Sequence, residues 1–137
     1  MDDAIEKGMQ LTAWPKGISA VTLFVEDLEA AKEFYQTVFE LPVFYADDNS
    51  AVFKFGSTLI NLLKTTAAPE LIEPAAIASR EAGHRFVFTI EVDDVDAMCA
   101  QLVERGVKLL NGPMDRPWGI RTASFIDPGG HIWEIAQ

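Results

Sequence analysis

The sequence predicts an α+β fold in which two tandem βαβββ modules form curled mixed sheets around a cup. The first observation is an internal repeat, because VEDLEA at positions 25–30 recurs as VDDVDA at positions 92–97. The second is the hydrophobic pattern, which alternates before each copy and changes to helical spacing after its start. We therefore expect a single domain over residues 1–137, with module one at about 17–64, a linker at 65–83 and module two at about 84–136.

Module one starts with an apolar run at 18–25, which predicts its first strand. The helix that follows has apolar side chains at spacings of three and four, so we expect Phe34 and Tyr35 in the core. Asp27 is suited to cap this helix, because a short carboxylate accepts hydrogen bonds from the free N–H groups of the first turn. Three shorter runs predict the remaining strands, at 42–46, 51–55 and 58–63.

Module two repeats this order, with a first strand predicted at 86–92. Its helix is capped by Asp93 or Asp94 and ends before Gly106, which can adopt a left-handed conformation without strain. Cys99 falls on the apolar face of this helix, so we expect it to pack rather than react. The remaining strands are predicted at 107–110, 120–126 and 131–136, with a tight turn at 127–130. The linker has room for one short helix.

Composition limits the classes of function. Apolar residues make up 49% of the chain and charged residues 23%, as in a globular protein with a large core. No apolar stretch approaches the ~20 residues of a membrane span, and the acidic N-terminus lacks the features of a secretory signal. The net charge of −10 disfavours nucleic acid and anionic membrane surfaces as partners. We expect a cytoplasmic protein whose partner is a small molecule.

Two segments carry a resemblance to a known family. VEDLEAAKEFYQTVFELPV at 25–43 and SFIDPGGHIWEIAQ at 124–137 resemble the corresponding parts of the vicinal oxygen chelate superfamily. This superfamily includes glyoxalase I, extradiol dioxygenases, fosfomycin resistance enzymes and bleomycin resistance proteins. The resemblance covers residues 17–136 and implies the paired βαβββ fold, but these motifs do not distinguish one reaction from another.

Strand alternation predicts a ligand site. In each first strand the strongly apolar set of side chains is expected to pack on the helix, and the mixed set then lies on the opposite face. The alternative is a second core layer, which would bury two carboxylates and an amide at a cost of ~1–3 kcal/mol for each unpaired group. We therefore favour a cup. The residues expected to meet a ligand there are Thr22, Phe24, Asn61, Thr89, Glu91 and Glu134.

The resemblance also implies where a metal would bind. Metal-dependent members take ligands from the first and last strands of each module, and the matching positions here are Ala20, Asn61, Val87 and Glu134. Only Glu134 is a typical ligand, since an amide oxygen binds transition metals weakly and alanine and valine have no donor atom. His84 and His131 lie at odd offsets from these positions, and His131 is expected at the surface of its hairpin. We predict no cofactor; Ni²⁺, Mn²⁺, Fe²⁺ or Zn²⁺ would bind only if this register is wrong.

Residues 112–121 are rich in glycine and proline and predict an irregular rim beside the cup. Trp118 can stack on a planar or cationic ligand there, or pack against the rim. Arg121 can hold a ligand carboxylate, although pairing with one of the many acidic side chains is the stronger expectation. Trp14 and Trp133 are assigned to packing.

These features predict a metal-free protein of the bleomycin resistance type that binds and sequesters a small molecule, with a cationic aromatic antibiotic as a suitable ligand. The alternative is a glyoxalase-like lyase or isomerase, or a dioxygenase. That enzyme would use Glu134 as a metal ligand or as a general base with a pKa raised by Glu91 or by burial. Open sheet edges and a half-covered cup predict a homodimer. The sequence leaves open whether the modules pair within one chain or across two.

Overall fold

The computed structural model describes residue 13 and residues 15–137, and it contains the two βαβββ modules. Trp14 lies outside the described residues. Module one consists of β1 (Ala20–Val25), α1 (Leu28–Thr37), β2 (Tyr45–Ala46), β3 (Ser50–Phe55) and β4 (Thr58–Lys64). The linker contains the short helix α2 (Pro69–Ile72) and a 3₁₀ turn (Arg80–Ala82). Module two consists of β5 (Phe88–Glu91), α3 (Val95–Glu104), β6 (Leu109–Asp115), β7 (Arg121–Ile126) and β8 (Ile132–Ala136).

Each module forms one four-stranded mixed sheet. The strand order is β1-β4-β3-β2 in the first sheet and β5-β8-β7-β6 in the second. The first strand of each module lies parallel to its last strand, and the other neighbours are antiparallel. Because the strands of both modules are connected in the same order, residues at equivalent positions of the repeat point to equivalent sides of their sheets.

The helices begin and end where the sequence predicts. Asp27 Oδ1 accepts a hydrogen bond from the Ala30 N–H at 3.0 Å, and Asp94 Oδ1 accepts one from Ala97 at the same distance. Asp94, and not Asp93, is therefore the cap of α3. Gly106 follows the end of α3 with a φ of +84°. In the part of the chain that the structure describes, no helix is both long and apolar enough to cross a bilayer.

Two strands differ from the prediction. β2 has only two residues, because Pro42 lacks an N–H to donate and Asp47 turns the chain. The Asp47 carboxylate accepts hydrogen bonds from the N–H groups of Asn49 and Ser50 at 2.9 and 2.8 Å. β6 continues to Asp115, so half of the segment predicted as an irregular rim is strand, and the turn covers only 116–120.

Gly112 explains the longer β6. The pairing of β6 with β7 shifts register on both sides of Asn111, as at a β-bulge. Gly112 has a φ of +83°, and a Cβ there would stand 2.4 Å from the carbonyl oxygen of Thr122. A side chain would push the two strands apart, so only glycine keeps them paired beyond the bulge.

The core lies between the two sheets. The largest aromatic side chains buried in it are Tyr35, Phe53, Phe125 and Trp133. Phe55 of β3 stacks on Trp133 of β8 with ring centres 5.2 Å apart. Phe39, from the loop after α1, packs against the same indole, with ring centres 4.9 Å apart. The apolar faces of the two sheets therefore face each other across one shared core.

A buried carboxylate joins the modules. Asp127 is 3% exposed and lies in the turn between β7 and β8. Its Oδ2 accepts hydrogen bonds from the Tyr35 hydroxyl at 2.7 Å and from Trp133 Nε1 at 3.1 Å. Its Oδ1 accepts one from the His131 backbone N–H at 2.9 Å and lies 3.1 Å from His131 Nδ1. His131 was expected at the surface. That prediction is wrong, because the ring turns inward to this carboxylate and its side chain is only 13% exposed.

The surroundings of Asp127 keep it ionised. Burial by itself raises the pKa of Asp127, since the charged form loses contact with water. Hydrogen bonds from His131 and the charge on its ring outweigh that effect, so the pKa of Asp127 lies below its ordinary value. Burial, and then the negative charge of Asp127, hold the pKa of Tyr35 well above its usual range. Tyr35 therefore remains a hydrogen-bond donor.

Tyr35→Phe is expected to lower the free energy of unfolding by ~1–3 kcal/mol at neutral pH, because a buried carboxylate oxygen loses a donor. The folded pKa of Asp127 is lowered, so its stabilisation is present above the unfolded value of about 3.9 and is lost as the pH falls through the folded pKa. Urea denaturation at several pH values measures both effects. The control is Thr37→Val, because the Thr37 hydroxyl bonds the Glu33 carbonyl oxygen at the exposed surface of α1. Equal losses in the two variants, or a Tyr35→Phe loss that grows on acidification, would contradict this role.

Candidate functional site

Strand register places one row of side chains across each sheet, on a single face. Row one crosses β1, β4, β3 and β2 as Thr22, Asn61, Val52 and Tyr45. Row two crosses β5, β8, β7 and β6 as Thr89, Glu134, Ser124 and Asn111. In-register neighbours share a face. The first two members of each row are residues that strand alternation predicted for the ligand site, and the repeat places them at equivalent positions.

The two rows repeat one pattern of contact. Asn61 Nδ2 lies 3.4 Å from Thr22 Oγ1 in row one. In row two, the Thr89 hydroxyl donates to Glu134 Oε1 at 2.8 Å. Asn61 Oδ1 is buried and has no hydrogen-bond partner among the described residues. A buried carbonyl without a donor costs ~1–3 kcal/mol, so this oxygen would gain from a donor supplied by another molecule.

Both rows lie on sheet faces opposite to the shared core. Asn61 stands between Ile60 and Leu62, which are buried, and Glu134 stands between the buried Trp133 and Ile135. Because successive side chains of a strand point to opposite faces, core packing turns both rows away from the core. The two polar faces of one chain are therefore turned away from each other. Each sheet supplies half of a cup.

The other predicted site residues of the strands lie beside these rows. Phe24 is half-buried and, with Thr22, lines a hollow of about 270 Å³ beneath the linker. Arg80 and His84 of the linker line the same hollow. Glu91 is exposed and follows Thr89 on the polar face of β5.

Arg116 lies over the polar face of the second sheet. Its Nε donates to Thr122 Oγ1 at 2.8 Å, and its Nη2 donates to Asn111 Oδ1 at 3.1 Å. Trp118, 68% exposed, places its ring 5.9 Å from the Arg116 guanidinium carbon. Sequence reasoning selected Trp118 but missed Arg116. A turn has no period that assigns a side chain to a face, so no local signal identified it.

Arg121 is held by the carboxylates of Asp96 and Asp115. Its guanidinium donates to both oxygens of Asp96 on α3, at 2.8 and 2.9 Å, and to Asp115 at 3.0 Å. These bonds raise the pKa of Arg121, and the bonds from Arg121 lower the pKa of Asp96. The guanidinium is thus engaged by two carboxylates, as the stronger of the two expectations for Arg121 stated.

A larger cavity of about 640 Å³ opens on the core side of the sheets. It is lined mainly by apolar side chains of both modules, including Val21, Phe39, Phe55, Ile90 and Met98. Lys54 and Gln101 stand at its polar edge. Its size suits a small molecule. It is a second possible place for a ligand, and Thr89 of row two is part of its lining.

The donor set does not fit a transition metal. Ala20 and Val87 offer no donor atom, and Glu134 has Thr89 and Ser124 as its in-register neighbours. No three His, Cys, Asp or Glu side chains among the described residues form a group that could hold a metal ion. His131 is bound to Asp127 and lines the hollow beneath the linker together with Thr22. One carboxylate with hydroxyl and amide neighbours is a weak site for these metals.

With this geometry in hand, comparison with known proteins identifies the family. The profile of the Glyoxalase/Bleomycin resistance protein/Dioxygenase superfamily matches residues 17–135. The chain belongs to this superfamily. The family resemblance seen in the sequence is therefore confirmed, and so is the α+β fold that it implies.

Individual relatives agree with this assignment. The chain is 34% identical over 119 residues to the uncharacterized protein YraH of Bacillus subtilis, covering 84% of this chain and 93% of YraH. It is 28% identical over 123 residues to the metallothiol transferase FosB of Shouchella clausii, covering 87% of this chain and 78% of FosB. A solved glyoxalase/bleomycin resistance protein/dioxygenase from Nocardioides superposes with a TM-score of 0.82 at 25% identity, covering 98% of this chain and 91% of that one.

Cys99 is expected to be inert in the folded protein. It is buried on α3, and burial, followed by the charge of Asp96, raises the pKa of its thiol. We expect Ellman's reagent to modify it at least ~100-fold more slowly in buffer than in about 8 M urea. Equal rates under the two conditions would show that Cys99 is accessible and would contradict a packing role.

Proposed function

We propose that this superfamily member binds and sequesters a small organic molecule on the polar faces of its sheets, without a metal. The Thr89–Glu134 pair carries this proposal. Glu134 accepts one hydrogen bond among the described residues, from Thr89, and an ionised carboxylate has room for several more. Asn61, its counterpart in row one, has a carbonyl oxygen in need of a donor. Both positions therefore suit a ligand that donates hydrogen bonds.

The proposal includes a homodimer in which row one of one chain faces row two of its partner. The polar faces of one chain are turned apart, so a ligand that contacts both rows needs a second copy. Exposed apolar side chains near the outer strands support contact with another chain. They are Phe44, Tyr45, Leu110 and Met114.

A lyase or isomerase reaction is the second candidate. The hydrogen bond from Thr89 orients the Glu134 carboxylate, as a general base requires. Glu134→Gln separates the two functions, because a neutral amide of the same shape can still bind but cannot remove a proton. Loss of turnover with retained binding would favour catalysis.

Purified untagged protein is expected to retain far less than one transition metal per chain. The test is metal analysis by mass spectrometry after separate dialysis against Ni²⁺, Mn²⁺, Fe²⁺ and Zn²⁺. Glu134→Gln should give the same result as the matched control Glu104→Gln, which neutralises an exposed carboxylate at the end of α3. Near-stoichiometric metal that is lost only in Glu134→Gln would overturn the metal-free part of the proposal.

Mixing two variants tests the shared cup. Asn61→Leu and Glu134→Leu are each expected to weaken binding of the best of three probes, 4-hydroxyphenylacetate, 4-hydroxyphenylacetamide and tyramine, measured by NMR titration. After the variants are unfolded together and refolded, random pairing should restore about a quarter of the wild-type sites, because each mixed dimer has one intact cup.

The fraction of binding sites recovered after mixing distinguishes a cup shared by two chains from a cup within one chain. If each cup lay within one chain, the mixture would show no recovery, and the proposed dimer would be wrong. If none of the probes perturbs residues of either row in the wild-type protein at about 10 mM, well above a fragment-level Kd of ~1 mM, the binding proposal fails. Perturbation confined to Met98 and Ile90 would place the ligand in the core-side cavity instead.

A further inference from the structure

We propose that Arg116 is an acid-binding subsite, so that the molecule bound on the second sheet carries a carboxylate or a comparable oxyanion. This inference rests on the proposed function, because it takes the polar face as the place of binding. It differs from the sequence-based expectation of a cationic ligand, which was drawn from the acidic surface, from Glu91 and Glu134 in the cup and from Trp118 at the rim.

The hydrogen bonds of Arg116 hold its guanidinium in place without pairing it with a negative charge. Its two partners, the Thr122 hydroxyl and the Asn111 amide oxygen, are neutral. No carboxylate of the described residues lies within ion-pair distance of Arg116, whereas Arg105 and Arg121 each bind at least one. A guanidinium has five N–H donors, and two are used here. The other three are available to an acceptor from outside.

Both partners fix the guanidinium over the polar face. Asn111 belongs to row two, and Thr122 lies in register with Met114 and Ala136, one row further along the same face. Thr122 is fully buried, so its hydroxyl is a rigid anchor. Trp118 adds an aromatic surface beside the guanidinium. An acid with a planar group attached would bond Arg116 and stack on this ring.

Glu134 provides a hydrogen-bond acceptor for the end of the ligand that lies away from Arg116. Asn111 and Glu134 belong to the same row and are separated only by β7, which corresponds to two strand spacings, or roughly 10 Å. One end of the face thus offers hydrogen-bond donors with positive charge, and the other offers a carboxylate acceptor. The chemistry points to a small aromatic acid that carries a hydroxyl, amide or amino donor at its far end.

The three probes defined above separate charge from shape. 4-Hydroxyphenylacetate, its neutral amide and the cationic tyramine share one ring and one hydroxyl. We expect the acid to bind roughly ten- to a hundredfold more tightly than the amide, because a charge-assisted bond replaces a neutral one. The resonances of the Trp118 indole N–H and the Arg116 Nε–H should shift during the NMR titration.

Arg116→Gln should abolish the preference for the acid. Arg116→Lys should lose most of it, since an ammonium keeps the charge but lacks the planar fork. Lys108→Gln is the matched control, because it makes the same change in net charge at an exposed position before β6, at the opposite end of that strand from Arg116. The amide NMR spectrum of each variant reports whether it is folded. Because two substitutions are made at position 116, one still tests the inference if the other variant does not fold.

Outcomes other than these overturn the inference. If tyramine or the amide binds the polar face as tightly as the acid, the acid subsite is wrong while small-molecule binding stands. The same holds if Arg116→Gln keeps the preference, or if Lys108→Gln removes it equally. If no probe perturbs the polar face, the proposed function and the acid subsite fail together.

Discussion

The buried carboxylate of Asp127 is the interaction on which the arrangement of the two modules depends. A buried charge is destabilising unless nearby donors compensate it, and here the donors come from α1 of module one and from the β7–β8 hairpin of module two. Tyr35 and Trp133 can both reach Oδ2 only if the helix packs directly against the hairpin. Glu134 follows Trp133 in the chain, so the same contact also fixes the direction in which row two points.

This constraint has a consequence for binding. Trp133 is drawn into the core by Asp127 and by the stacked ring of Phe55, and alternation then sends Glu134 to the opposite face. The buried Ile60 and Leu62 do the same to Asn61 in module one. Packing of one face of each sheet on the shared core therefore turns the polar face of each sheet outward. The proposed dimer would bring a polar face of one chain against a polar face of its partner.

Local pattern predicted most of the fold and the strand faces of the candidate site. The caps at Asp27 and Asp94 and the strand faces of Thr22, Asn61, Thr89 and Glu134 follow from short-range geometry, which a repeat shows twice. The length of β6 did not follow, because it depends on how closely Gly112 approaches Thr122 across the sheet. His131 and Arg116 lie in turns, where side chains follow no period, so the pattern encodes neither the inward ring of His131 nor the position of Arg116.

Total charge does not give the local charge at a site, as the arginines of this chain illustrate. Twenty-one acidic residues outnumber eleven basic ones, which suggests a surface for cations. Yet Arg121 and Arg105 are bound by carboxylates and add little positive potential, whereas Arg116 is held by neutral oxygens and keeps its own. At contact distance a single oriented guanidinium outweighs charges beyond a Debye length of about 8 Å, which salt screens. Arg116 is therefore a local positive charge on a polar face that also carries Glu91 and Glu134, and the proposed acid subsite is confined to its surroundings.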